Sequence, residues 1–288
     1  MLRALIKSMR PHQWAKNALI FVALVFDRQL TNLPSLWVTV QGFISFSLLA
    51  SAIYILNDLI DVEADRQHPR KRLRPIAAGA LPLWLAYAAV AVFVLQAFVW
   101  GSQLSTGFAI VCAVYLALNL TYSFWLKHIP IIDVIGLASF YVLRVAAGVL
   151  LIEVNIFSPW LYLFTTFLAL FLGIGNRRAE MLAQKAGGGS RPVLALYTSA
   201  YLDQLLLIVL TLMILTYSLY TFSAENLPGN HAMMLTIPFV IYGGFRYLYL
   251  VQVSQTGEAP EDLLFSDRPI QATLVLWAAT ILLIFYLM

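Results

Sequence analysis

From residue 36 to residue 56 the chain carries no charged side chain. A run of that length closes off most folds. About 20 apolar residues match the thickness of a bilayer's hydrocarbon core, and a backbone placed there must satisfy its own N–H and C=O groups. Within one segment only an α-helix does so. Charge-free runs recur at residues 83–99, 108–126, 160–174 and 270–287, and runs with few charges at 131–154, 193–222 and 233–253. A weaker stretch, 13–31, has a strictly apolar part of only 18–26, short for a span. Counted with the others it makes nine. Charged residues are 11% of the chain, against about 25% in soluble domains. The expectation is an all-α, polytopic membrane bundle of nine transmembrane helices in one domain, residues 1–288.

The basic residues orient that bundle. Fifteen of the 18 Lys and Arg fall in alternate loops and at the N-terminus: four up to Lys16, five from Arg66 to Arg74, Lys127, four from Arg177 to Arg191, and Arg268. The opposite loops hold Arg28. By the positive-inside bias, the N-terminus and the long charged loops are cytoplasmic. The first sixteen residues, with Trp14 at the membrane edge, read as an amphipathic interfacial helix. The high pI, about 9.2, reflects these edges and is no sign of nucleic-acid binding. Cys112 stands alone in an apolar run, which excludes a disulfide framework and a thiolate metal site.

The chemistry concentrates between Tyr54 and Gly79. Four carboxylates (Asp58, Asp61, Glu63, Asp65) precede a basic block of Arg70, Lys71, Arg72 and Arg74. In a helix continuing from the apolar run, Asp58, Asp61 and Asp65 share one face, Asn57 borders it and Glu63 points away. Three carboxylates on one face repel unless a cation sits among them. An oxygen-only set suits Mg²⁺ shared with a substrate's phosphates. The cations after them suit the phosphates themselves, Arg through bidentate contacts. Pro75 stiffens the chain after Arg74, the favoured phosphate ligand of the block.

Other cytoplasmic ends add candidates. Tyr122 and Lys127 close the fourth expected helix, and Arg177 and Arg178 close the sixth, pointing about 100° apart. Asp133 and Arg144 fall near one helix face. Arg144 is deep enough to need the bundle interior, as a phosphate ligand or as the partner of an acid such as Glu153 or Asp203. Arg246 is a further candidate for substrate contact. No His pair at helical spacing and no Ser-His-Asp set is evident, so hydrolase chemistry is not supported.

The pattern Asn57-Asp58-x-x-Asp61-x-x-x-Asp65, followed by Arg74-Pro75-x-x-x-Gly79, resembles the UbiA-type intramembrane prenyltransferase superfamily. The resemblance implies a helical bundle around a cytoplasm-facing, laterally open cavity, with the first acidic motif holding Mg²⁺ and a diphosphate. It also implies a second motif, Asp-x-x-x-Asp, between helices 6 and 7. There the chain departs, reading Arg177-Arg178-Ala179-Glu180. Cations opposite a single acidic motif suit a donor with extra phosphate. With Arg10-Pro11-His12-Gln13-Trp14-Ala15-Lys16-Asn17, Pro260-Glu261-Asp262 and Asp267-Arg268-Pro269, the chain is similar to the superfamily branch that moves 5-phosphoribose from phosphoribosyl pyrophosphate to a polyprenyl phosphate for cell wall biosynthesis. That resemblance implies a transferase of the bacterial inner (plasma) membrane. Taken with the positions read above, the expected set is Asp58, Asp61, Asp65 and Lys127 as catalytic, the three acids as metal ligands, and Asn57, Arg74, Tyr122, Arg177, Arg178 and Arg246 as substrate-binding. A prenyltransferase using a prenyl diphosphate and a small aromatic acceptor is the alternative; a transporter with Asp133 and Arg144 at midplane is a third.

Overall fold

The computed structural model describes residues 1–67, 71–154, 158–185, 192–225, 227–254, 263 and 266–287. Arg70, Arg191, the glycine-rich stretch 186–190 and the motif 260–262 lie outside them. Every regular element among the described residues is helical. Among the described residues, eight helices are long and apolar enough to cross a membrane. The chain divides into two compact units, Met1–Phe124 with Leu143–Val154, and Trp125–Val142 with Asn155–Met288.

In the first unit, α1 (Leu2–Met9) leads through Arg10 into a 3-10 helix, Pro11–Phe21, and a short α2, Val22–Phe26. The long α3, Leu33–Ile60, comes next. It starts where Asn32 caps the Ser35 N–H and Pro34 sits in the first turn, where a missing N–H costs nothing. After α4 (Val62–Gln67) come α5 (Leu83–Leu104) and α6 (Thr106–Phe124). The next helix, α7 (Ile132–Val149), gives its last residues to this unit.

The first expected span, 13–31, is not an α-helix of spanning length. Its residues form the 3-10 helix and α2, which run antiparallel along α3. Arg10 meets Asp58, Trp14 donates to Ser51 Oγ at 3.0 Å, Asn17 to Ser47 Oγ at 2.9 Å, and Phe21 lies 5.6 Å from Phe43. A 3-10 helix rises about 2.0 Å per residue against about 1.5 Å in an α-helix. From Arg10 to Phe21 the tighter coil therefore covers roughly 22 Å, the same height as Asp58 to Phe43 on α3. So eleven residues keep pace with fifteen. Gly148 of α7 lets the 3-10 helix approach: a Cβ there would lie 2.0 Å from the Ile20 carbonyl oxygen.

The second unit holds the start of α7, then α8 (Pro159–Lys185), α9 (Ser199–Ser223), α10 (Ile237–Gln252) and α11 (Arg268–Leu287). Helix α8 runs eleven residues past the expected end at 174, carrying Arg177, Arg178 and Glu180 within it. Thr198 caps α9 through the Tyr201 N–H, and Asp267 caps α11 through the Ile270 N–H. Tyr217 is fully buried and pins three elements: it shares a 2.6 Å hydrogen bond with Thr236, accepts one from Trp277 and packs on Phe164.

Candidate active site

The acidic motif lies where α3 ends. The helix breaks at Asp61, whose backbone (φ −89°, ψ 7°) interrupts the α-helical path before α4 resumes. The i→i−4 hydrogen bonds nevertheless run through it, from the Asp61 N–H to Asn57 and from the Asp65 N–H to Asp61. Asp58 and Asp65 are buried and converge, whereas Asp61 is exposed. Of the three acids expected on one face, two are buried together and Asp61 lies exposed beside them. Glu63 is exposed and pairs with Arg66 at 2.7 Å.

Two guanidinium groups hold the buried acids. Arg74 Nη1 donates to Asp65 Oδ2 at 2.6 Å and to Asp58 Oδ1 at 3.1 Å. Arg10 Nη2 donates to the same Asp58 oxygen at 2.6 Å, with its guanidinium 5.1 Å from the Tyr54 ring centre. Lys71 Nζ stands 4.0 Å from Asp65. The loop that carries Arg74 is locked from beneath: Ile76 and Leu81 bury against Ile55, Leu59 and Ala86, and Leu81 N–H donates to the Pro75 carbonyl. Gly79 turns the chain there at φ +74°, a conformation costly for residues with a Cβ. Asn57 is half-buried and accepts a hydrogen bond from Ser123 at 3.3 Å, beside Tyr122, which is buried near the end of α6.

Arg10 is the residue of this centre that sequence reasoning left in the interfacial helix. The signal for it is the Arg-Pro junction. Arg10 adopts a left-handed backbone (φ 52°) between α1 and the 3-10 helix, which Pro11 opens.

Deeper in the same unit, Arg144 is buried, and donates to Asn17 Oδ1 at 2.7 Å and to the Tyr115 hydroxyl at 2.9 Å. Its guanidinium also lies over the Phe46 and Tyr115 rings. Of the acids expected as partners, Asp203 is instead taken by Arg178, and Glu153 is exposed, offering its main-chain oxygen to Gln29.

The second unit carries the remaining candidates. Arg177 is fully buried; its Nε donates to Asp133 Oδ2 and its Nη1 to Glu180 Oε2, both at 2.6 Å. The other Asp133 oxygen accepts from the Tyr197 hydroxyl at 2.6 Å, and that hydroxyl also takes the Ile131 N–H. Burial, with the Asp133 hydrogen bond adding to it, pushes the Tyr197 phenol up to about 12. Ile131 sits at φ 69°, a costly conformation for a β-branched residue, and this hydrogen bond helps to hold it. Arg178 pairs with Asp203 at 2.9 Å. Lys127 is half-buried in a 3-10 turn, Leu126–His128. Arg246 pairs with Asp267 at 2.8 Å and faces Tyr249. Arg246 in turn holds the Asp267 carboxyl below the usual carboxylate range.

Among the described residues, no three His, Cys, Asp or Glu side chains gather as a ready-made metal site. The donor chemistry nevertheless fits a hard divalent ion. Asp58 and Asp65 present anionic oxygens that converge on one nitrogen of Arg74, so a cation already occupies the point between them.

An all-helical integral membrane protein with paired buried carboxylates bridged by guanidinium groups at the end of a long spanning helix is the class that fold and centre define. The chain belongs to the UbiA prenyltransferase family, whose model matches residues 18–266. It is 37% identical over 281 residues to the decaprenyl-phosphate phosphoribosyltransferase of Mycobacterium tuberculosis (strain CDC 1551 / Oshkosh), covering 96% of this chain and 92% of that protein. The protein of the same description from Corynebacterium glutamicum is 36% identical, over 99% of this chain and 87% of its own. In fold, the chain is similar to a UbiA homolog from Archaeoglobus fulgidus bound to DMAPP and Mg2+, with TM-score 0.74, 20% identity and 99% of both chains covered.

Proposed function

We propose that this transferase moves 5-phosphoribose from phosphoribosyl pyrophosphate to a polyprenyl phosphate. The product is a polyprenyl-phosphoryl 5-phosphoribose for cell-envelope arabinan precursors. The reaction takes place at the cytoplasmic face of the bacterial plasma membrane, and residues 1–288 act as one catalytic domain. The observation that carries this reading is the near full-length identity with the mycobacterial and corynebacterial phosphoribosyltransferases.

Asp58 and Asp65, with the exposed Asp61 beside them, are the residues that would hold Mg²⁺. A bound divalent ion there neutralises a pyrophosphate leaving group. Asn57 and Tyr122 border the acids, and Arg74, half-exposed on the carboxylates, is the first unit's candidate for a phosphate contact. Lys127, Arg178 and Arg246, all in the second unit, are separate candidates for phosphate contacts. Arg177, sealed in its buried pair, supports that helix end rather than touching substrate. The acceptor phosphate is anionic near neutral pH, so no general base is required.

The test is transfer of label from phosphoribosyl pyrophosphate to a lipid-extractable product in a polyprenyl phosphate mixture, with and without Mg²⁺. Labelled lipid that depends on both substrates is expected. Consumption of a prenyl diphosphate with an aromatic acceptor, while phosphoribosyl pyrophosphate is ignored, would overturn the reading.

A further inference from the structure

The acidic centre holds its own cations. Asp58 Oδ1 is shared by Arg10 and Arg74, and Arg74 reaches on to Asp65. The partners differ in exposure. The carboxylate side chains are 3% and 2% exposed, the two guanidinium side chains 27% and 29%. The acids are fixed inside, while both arginines stand on the accessible side. An Arg side chain is long, and its planar fork matches phosphate as well as carboxylate. A buried, ionised carboxylate without a cation is costly, so Asp58 keeps a positive group beside it as long as it carries its charge.

Resting on the function proposed above, we propose that Arg10 and Arg74 are place-holders: they neutralise Asp58 and Asp65 while the centre is empty of donor, and pass to the pyrophosphate oxygens when a divalent ion and the donor enter together. Arg10 is thereby a donor-binding residue. The exchange is balanced in charge. Two carboxylates give up three contacts to two guanidinium cations and receive a dication, and the guanidinium groups gain the anionic diphosphate. Metal alone therefore binds weakly, because it must displace three ion pairs with nothing to receive the two guanidinium groups. Metal and diphosphate bind with mutual reinforcement.

The backbone of Arg10 supports this assignment. A non-glycine residue in the left-handed region carries strain, and here that strain aims a side chain at Asp58. The aim is held at both ends of the turn, Arg10 N–H to the Lys7 carbonyl at 3.3 Å and Gln13 N–H to the Arg10 carbonyl at 2.9 Å. Ala4, Leu5 and Met9 of α1 pack on the cluster formed by Ile55, Leu59, Ile76 and Leu81. That cluster also underlies the Arg74 loop, so both arginines are mounted on one base.

The test uses purified, donor-free full-length protein, Mn²⁺ as probe and inorganic pyrophosphate as the donor's leaving group, with free Mn²⁺ read by electron paramagnetic resonance. Arg10→Gln and Arg74→Gln are each expected to bind Mn²⁺ alone about tenfold more tightly than the wild type. They should also lose about tenfold of the tightening that pyrophosphate brings, the scale of one charge-assisted contact. Arg10→Lys, which keeps the charge, should bind Mn²⁺ like the wild type. Asp58→Asn separates the two readings. If it abolishes Mn²⁺ binding while Arg10→Gln binds Mn²⁺ no more tightly than wild type, the place-holder inference is wrong and the metal assignment stands. If Asp58→Asn leaves Mn²⁺ binding intact, both fall.

Discussion

Asp58 and Asp65 are the acids that α3 and α4 bury, and each keeps a guanidinium within 3.1 Å. Asp58→Asn and Asp65→Asn should each lower kcat/KM at least a hundredfold, since metal-held charge stabilisation is worth several kcal/mol. Wild-type Mg²⁺-dependent turnover in either variant would remove them from the site. Glu63→Gln alters an exposed pair, and such pairs are worth about 0–1 kcal/mol. Its rate should stay within a few-fold of wild type. Asp267 makes a different prediction. Its carboxyl is held below the usual range by Arg246, with the Ile270 N–H assisting. A group with a depressed folded value stabilises fully above its unfolded value, about 3.9, and loses that contribution as pH falls through the folded value. Asp267→Asn can still cap α11 but lacks the charge. The gap in melting temperature between wild type and Asp267→Asn should be flat from pH 8 to about 5 and close in stronger acid. A gap that instead grows on acidification would refute this origin.

At the scale of elements, α8 places two adjacent arginines in unlike settings. Arg177 is sealed against Asp133 and Glu180, and Asp133 is also held by Tyr197 from the stretch before α9. Removing one partner of such a buried pair strands the other charge and costs roughly 3–5 kcal/mol. Arg177→Met should therefore lower the apparent melting temperature markedly. Replacing Asp133 together with Arg177 by apolar residues should recover much of the loss. Arg178 faces Asp203, whose side chain is 30% exposed and can be hydrated once alone. Arg178→Met should melt close to wild type and raise the donor KM. The reverse order, Arg178→Met unstable and Arg177→Met stable, would show that the burial pattern misassigns them. The 100° step between neighbours on a helix gives the two buried arginines different partners, but the sequence could not say which would meet the sealed acid and which the half-exposed one.

For the whole molecule, the open question is how the first segment crosses. The 3-10 helix and α2 keep pace with α3 over roughly 22 Å, and residues up to Gln29, which accepts a hydrogen bond from Ser35, complete the return. With the eight spanning α-helices this predicts nine crossings, the charged loops on the cytoplasmic side and the C-terminus opposite. In a Cys112→Ala background, cysteines at Arg72 and at Lys7 should react only with reagent on the cytoplasmic side, and a cysteine at Gly229 only from outside. Labelling of Lys7 and Arg72 positions from opposite sides would mean that the 3-10 segment does not return along α3.

Charge-free runs near the length of a bilayer leave little choice but helices, so the class of fold and most helix positions were legible from composition and spacing. So was the acidic motif, because carboxylates beside apolar runs stand out whatever the tertiary arrangement. Residue spacing carries less about burial. It puts Asp61 on the same side as Asp58 and Asp65, but does not say where along that side burial ends, and Asp61 falls on the exposed part. Nor does spacing reveal a 3-10 coil, since 11 residues look too short for a span until their greater rise is known. Partners distant in sequence were beyond reach for a plain physical reason. Arg10 and Asp58, Arg144 and Asn17, and Arg177 and Asp133 are joined by helices crossing or running side by side, and which long side chain reaches which acid is decided by packing. The sequence determined that buried charges would need partners; the tertiary structure alone decided which, because a buried charge takes whatever counter-group the neighbouring helix brings to its level.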